Sequence, residues 1–136
     1  MSVAKRQNPL PKLPSLNKSC FDEKMLISLS HFDRNQGQSF VEWEKEEILA
    51  DFLEKLRDFT ELTRSEAGQT KMLVVYGDFP TNSKFKEPSH TPRDAEWCRI
   101  KISGKVRIAG HIIANVFYIV FLDKNHEFFI SEKKHT

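Results

Sequence analysis

A chain of 136 residues with 39% apolar side chains, among them eleven Phe and two Trp, suits one domain with one core and is too short for several. Its 21 Lys and Arg against 19 Asp and Glu leave a net charge of +2, which excludes nucleic-acid binding by overall charge and requires any such binding to rest on a local cluster. No apolar run approaches the ~20 residues that cross a bilayer, and the first twenty residues lack the apolar stretch of a signal peptide, so a cytoplasmic protein without membrane contact is expected.

Residues 1–20 place Pro9, Pro11 and Pro14 among Lys, Asn and Ser. Fixed φ angles and missing backbone donors predict a flexible Pro-rich tail, or one that docks in polyproline II form. A single domain then occupies 21–136. Met25, Ile27 and Leu29 alternate with Ser28 and Ser30, the period of a strand with one buried side. Ser39 followed by Glu42 is a capping box, so a long amphipathic helix is predicted from there, with Leu49, Phe52, Leu53, Leu56 and Phe59 on one stripe. A second box, Thr63 to Glu66, predicts a short helix ended by Gly68.

The segment KMLVVY reads as a short strand or as more helix, and the β-branched Val74 and Val75 favour a strand. Residues 77–95, with three prolines, are too irregular for either period and predict a long loop, functional or disordered. From Glu96 onward EWCRIKI, KVRIAGHII, VFYIVFLD and EFFIS predict a four-stranded antiparallel meander whose third strand, apolar on both sides, is central and covered by the helix. The fold class is therefore α+β.

Strand alternation places Arg107 and His111 on one face, opposite Val106, Ile108 and Ile112. A three-residue loop at 103–105 puts Arg99 and Lys101 on the Arg107 side, whereas a two-residue loop puts them opposite; the first keeps Cys98, Ile100 and Ile102 with the apolar set and is preferred. A two-residue turn at Ala114 and Asn115 adds Tyr118 to the Arg107 and His111 face and sends Phe117, Ile119 and Phe121 to the core. Ala-Asn is a poor pair for that turn, because Ala resists positive φ.

Cys20 and Cys98 lack metal-ligand spacing and are expected as reduced thiols, and no HExxH, GxSxG or phosphate-loop motif occurs. The carboxylates at 44, 46, 47, 51 and 54 have the spacing of a solvated helix face, so no metal site is expected. His31 and His90 have no recognisable partner spacing, and His126 reads as a solvated turn residue. Trp43 is expected in the core, and Trp97 is expected to pack under the long loop rather than stack on a base.

The order of elements, together with RIAGHIIANVFYIVFLDKNHEFFISEKKH at residues 107–135, resembles the RelE/ParE-like toxins. The likeness lies in the Arg-containing strand, the short-turn hairpin, and a last strand running into a basic, His-ended tail. It implies a metal-independent, cofactor-free endonuclease that cleaves mRNA on the ribosome through the RNA's own 2′-OH, restrained by a cognate antitoxin protein, with no DNA ligand. His135 then matches the general acid and Arg107 the phosphate clamp. Lys133 and Lys134 match the basic residues after the last strand. Tyr118 stands where many members carry Arg, leaving a phenol that can stack on a base or donate a proton. In this scheme the catalytic set is His135, Arg107, Tyr118 and Lys134, and Arg99, Lys101, His111 and Lys133 contact RNA. A non-catalytic RNA- or protein-binding module on the same fold is the alternative.

Overall fold

The computed structural model describes residues 22–130. Its elements are β1 (Leu26–Ser28), α1 (Phe40–Lys45), α2 (Leu49–Phe59), α3 (Arg64–Gln69), β2 (Leu73–Gly77), β3 (Glu96–Ser103), β4 (Val106–Ile113) and β5 (Val116–Asp123). The strands form one mixed sheet in the order β1-β5-β4-β3-β2, in which β2 to β5 are an antiparallel meander and β1 lies parallel to β5. The α+β class expected from the sequence is the one observed, and KMLVVY supplies β2. Among the described residues no helix is long and apolar enough to cross a membrane.

Both capping boxes form. Ser39 Oγ accepts the Glu42 N–H at 3.1 Å while Glu42 accepts the Ser39 N–H at 2.7 Å, and Thr63 and Glu66 do the same at 3.2 and 2.9 Å. The single long helix predicted from Ser39 is instead two. Trp43 and Phe52 are nine residues apart, so one unbroken helix would set them about 180° apart. A break at Glu47, whose φ is 62°, lets both bury against the sheet. The bend costs a strained residue and recovers an indole and a phenyl ring from water. Gly68 does not end α3, which continues to Gln69, and Lys71 at φ 64° makes the exit turn.

The meander keeps the expected faces through irregularities that the pattern does not announce. Ser103 pairs with Val106 across a two-residue turn, but a bulge at Ile102 restores Lys101 opposite Arg107 and Arg99 opposite Ala109. At the next hairpin Ile113 pairs with Val116, and Ala114 does adopt positive φ, 56°. Arg64 Nη1 donates to the Ala114 carbonyl at 2.8 Å and Asn115 Nδ2 to the Lys24 carbonyl at 2.6 Å, which holds the strained turn from outside.

Two further expectations fail. Phe121 does not join Phe117 and Ile119. A second bulge, between Ala109 and Gly110, leaves Val120 unpaired and turns Phe121 to the opposite face. Nor does EFFIS pair as a strand over its described residues, 127–130. The free side of β5 is already taken by β1, and the Asp123 carboxylate accepts the N–H groups of Glu127 and Phe128 at 2.7 and 2.9 Å, drawing the chain into a turn. Phe128 then plugs a second core.

The sheet is thus apolar on both sides. Trp43, Phe52, Phe59, Ile100, Ile108, Ile112, Phe117 and Ile119 pack under the helices. On the other side Phe85, Trp97, Phe121 and Phe128 form a second cluster, and the 77–95 loop supplies part of its cover through Phe79 and Phe85. Trp97 packs there as expected, edge-on to Phe79 with Nε1 donating to Glu87.

The second bulge requires glycine at 110, because a Cβ there would overlap the Tyr118 carbonyl group, which is backbone and cannot swing away. Gly110→Ala is therefore expected to lower unfolding free energy by roughly 3 kcal/mol, measured by urea denaturation. Gly68→Ala, where nothing lies near the added Cβ, should cost nothing or stabilise slightly.

Candidate nucleic-acid interface

The register of β3 and β4 brings Arg99, Lys101 and Arg107 to one end of the second face. There they meet Lys71, in the turn after α3, and the half-buried Lys55 of α2, around a cleft of about 580 Å³. Five cationic side chains and no carboxylate line it. Among the described residues none of the five forms an ion pair.

Backbone carbonyls position the two guanidinium groups. Arg107 Nη1 donates to Gly104 at 2.6 Å and Val106 at 3.2 Å, and Arg99 Nη1 donates to Lys71 and Met72, each at 3.3 Å. Burial, then the neighbouring Arg99, lowers the Arg107 pKa from its usual value, with Tyr76 and Asp123 opposing. An arginine shifted in this way still carries its charge at neutral pH. Nε of Arg107 is buried without a partner. Like charges whose hydrogen-bond acceptors are neutral carbonyls favour the entry of an anion.

Tyr76 borders the same region. Burial raises its pKa, and a hydrogen bond and the charge of Arg99 oppose that rise. Phe129 stacks on Tyr76 at 4.3 Å and 11°, so the last described residues run beside the cleft. Lys133, Lys134 and His135, predicted to act here, lie outside the described residues.

His111 and Tyr118 occupy a different place. They pair with each other in the register, four residues along β4 from Arg107, a separation of about 13 Å in extended chain. Residues after β1 fold over them, fixed by the Asp33 N–H donating to Val120. His31 is thereby stacked on Tyr118 at 4.6 Å and 16°, with its Nδ1 3.3 Å from His111 Nε2, and His90 from the long loop meets His31 edge-on at 5.6 Å. His111 is 1% exposed and so presents no surface to RNA, contrary to the sequence expectation. The expected open face shared by Arg107, His111 and Tyr118 is covered by the second core between its two ends.

The three clustered histidines, the pair Lys55 and Lys71, and the division of the face were missed by pattern reading. The histidines are 59 and 21 positions apart in sequence and meet only through the loop crossing. Lys55 carries the same local signal as any solvated helix lysine. Among the described residues no group of three or more His, Cys, Asp or Glu is arranged to hold a metal ion. Cys98 is a free, buried thiol whose pKa burial pushes well up. Comparison with protein-family models, curated proteins and solved structures finds no match for the chain.

Burial, then the positive charge of His31 and His90, lowers the His111 pKa to about 4. The unfolded chain, with a histidine near 6.5, takes up the proton first, so stability is complete above about pH 6.5 and falls as pH drops toward 4. The loss attributable to His111 is on the order of 3 kcal/mol at the acid end. Urea melts at pH 7 and pH 4.5 should show a smaller acid loss for His111→Gln than for the parent protein; equal losses would assign the acid sensitivity elsewhere.

Proposed function

We propose that the protein is a toxin-like, metal-independent endoribonuclease that grips the RNA backbone in the five-cation cleft. The observation that carries this reading is the convergence of Arg99, Lys101 and Arg107, all expected to contact RNA, with Lys55 and Lys71 around a site without carboxylates. Phosphates of a single strand supply the missing counter-charges.

In this scheme the ribose 2′-OH gives its proton to solvent and attacks the adjacent phosphorus while the bond to the 5′ oxygen breaks, leaving a 2′,3′-cyclic phosphate. Arg107 is held by Gly104 and Val106 and lines the cleft, so it is placed to bind the oxygens that gain charge in the pentavalent state. His135 is assigned as the acid that protonates the leaving 5′ oxygen, with Lys134 and Lys133 adding to the field, as the toxin resemblance implies. Tyr118 receives no chemical role, since its ring is engaged with His31 away from Arg107. A cognate antitoxin would present acidic groups to the same cleft, and mRNA on the ribosome is the substrate class the resemblance implies.

The position of Tyr118 favours one second reading, a module that grips RNA without cutting it. Incubating the protein with ribosomes and end-labelled mRNA separates the two. Cleavage with a 2′,3′-cyclic end, reduced about hundredfold by Arg107→Ala, supports the endonuclease. Binding without new 5′ ends leaves the module, and neither binding nor cleavage removes both.

Salt dependence tests the cleft itself. Each phosphate neutralised on a single strand adds about 0.7 to the slope of log affinity against log salt. Lys55→Ala and Lys71→Ala should each flatten that slope by roughly this amount while leaving Tm unchanged.

A further inference from the structure

We propose that residues 9–16 of the leader occupy the apolar groove between β1 and α2 as a polyproline II segment. The groove, about 310 Å³, is lined by Ile27 and Leu29 on one side and Phe40, Leu49, Leu53 and Leu56 on the other, with no polar residue among its walls. Leu29 and Leu53 are 53% and 55% exposed. A contiguous patch of this kind on a small domain calls for a cover.

Three features of this chain point to its own leader. Its sequence NPLPKLPSL sets Leu10, Leu13 and Leu16 at intervals of three beside three prolines. Polyproline II has three residues per turn, so these leucines fall on one face about 9 Å apart, close to the ~10 Å from Leu49 to Leu56 along α2. The second feature is where the described chain starts. Lys24 bridges Thr63 and pairs with Glu61 just past the end of α2, so the leader departs at the Leu56 end of the groove. Leu16 and Asp22 are six positions apart, enough to span about 20 Å and fold back. Charge is the third. Residues 1–21 carry four basic side chains and no acidic one, whereas residues 40–59 carry seven acidic against three basic.

Among the described residues β1 leaves one edge unpaired, since it bonds only to β5. A proline-rich strand lying beside it would cover that edge without extending the sheet, because proline has no N–H to donate.

The test uses the full chain. Nitroxide placed at Ser15→Cys, with Cys20→Ser and the buried Cys98 left unlabelled, should broaden the methyl resonances of Leu49 and Leu53 and spare Val75 on the opposite edge strand. Adding Leu13→Asp should abolish the broadening. In parallel, α2 amides should exchange about fivefold faster in the Leu10→Asp, Leu13→Asp, Leu16→Asp variant than in the parent. Broadening that is absent, or equal at Val75, overturns the proposal, as does unchanged α2 exchange. Broadening or protection that rises with protein concentration assigns the groove to a second copy and also overturns it.

Discussion

Gly110 has no side chain, and the Tyr118 carbonyl lies where its Cβ would stand. That close approach is the bulge in the β4–β5 ladder, and the sides of the sheet depend on it. Before the bulge Phe117 and Ile119 face the helices; beyond it Phe121 faces away. Without the bulge, strict alternation through Val120 would point the phenyl ring of Phe121 into the helix layer, and the second face would lose the center of its aromatic cluster. A two-sided sheet in a chain this short leaves little margin: each face must be covered, and the three short helices cover only one.

The 77–95 loop answers that need. Its prolines and polar residues look like a solvated excursion, yet Phe79 and Phe85 anchor it on Trp97, Phe121 and Phe128. Phe128 arrives from the other side because Asp123 turns the chain back after β5. Cover of this kind is partial. It closes the middle of the face and leaves each end with its own polar group: histidines with Tyr118 at one, guanidinium and ammonium groups at the other. The separation follows from strand geometry, since four residues of β4 carry Arg107 and His111 well apart.

Elements whose signal is local were legible in the sequence. The capping boxes at Ser39 and Thr63, the first strand and the three long hairpin strands follow from neighbours in the chain; the face shared by Arg99, Lys101 and Arg107 was favoured by grouping Cys98, Ile100 and Ile102, but through a three-residue loop where the structure has a two-residue turn and a bulge. What pattern reading missed has non-local causes. The break at Glu47 is imposed by a tertiary demand that Trp43 and Phe52 reach the same sheet. The fate of Phe121 turns on a bulge, and periodicity carries no sign of one inserted residue. The absent last strand reflects occupancy of β5 by β1, a pairing that joins segments some ninety residues apart. His31, His90 and His111 were individually unremarkable because their meeting is made by two loop crossings.

The cationic end shows why a modest net charge does not argue against a local anion site. Acidic residues are spent on the helix layer, where Glu46 reaches Lys124 and Glu61 reaches Lys24 and Arg57, and none is left in the cleft. Nor do the guanidinium groups there rely on carboxylates for their orientation. Carbonyls of Lys71, Met72, Gly104 and Val106 hold them, in turns or at strand ends. A carbonyl orients a guanidinium without cancelling its charge, whereas a carboxylate would do both. Arg99 and Arg107 are therefore fixed in direction without an ion pair among the described residues, Asp123 offsets Arg107 only in part, and an entering anion would relieve the remaining repulsion between them. That combination of rigid placement with retained charge is what a phosphate-binding site requires, and it arises here from the geometry of two turns and one bulge at Ile102.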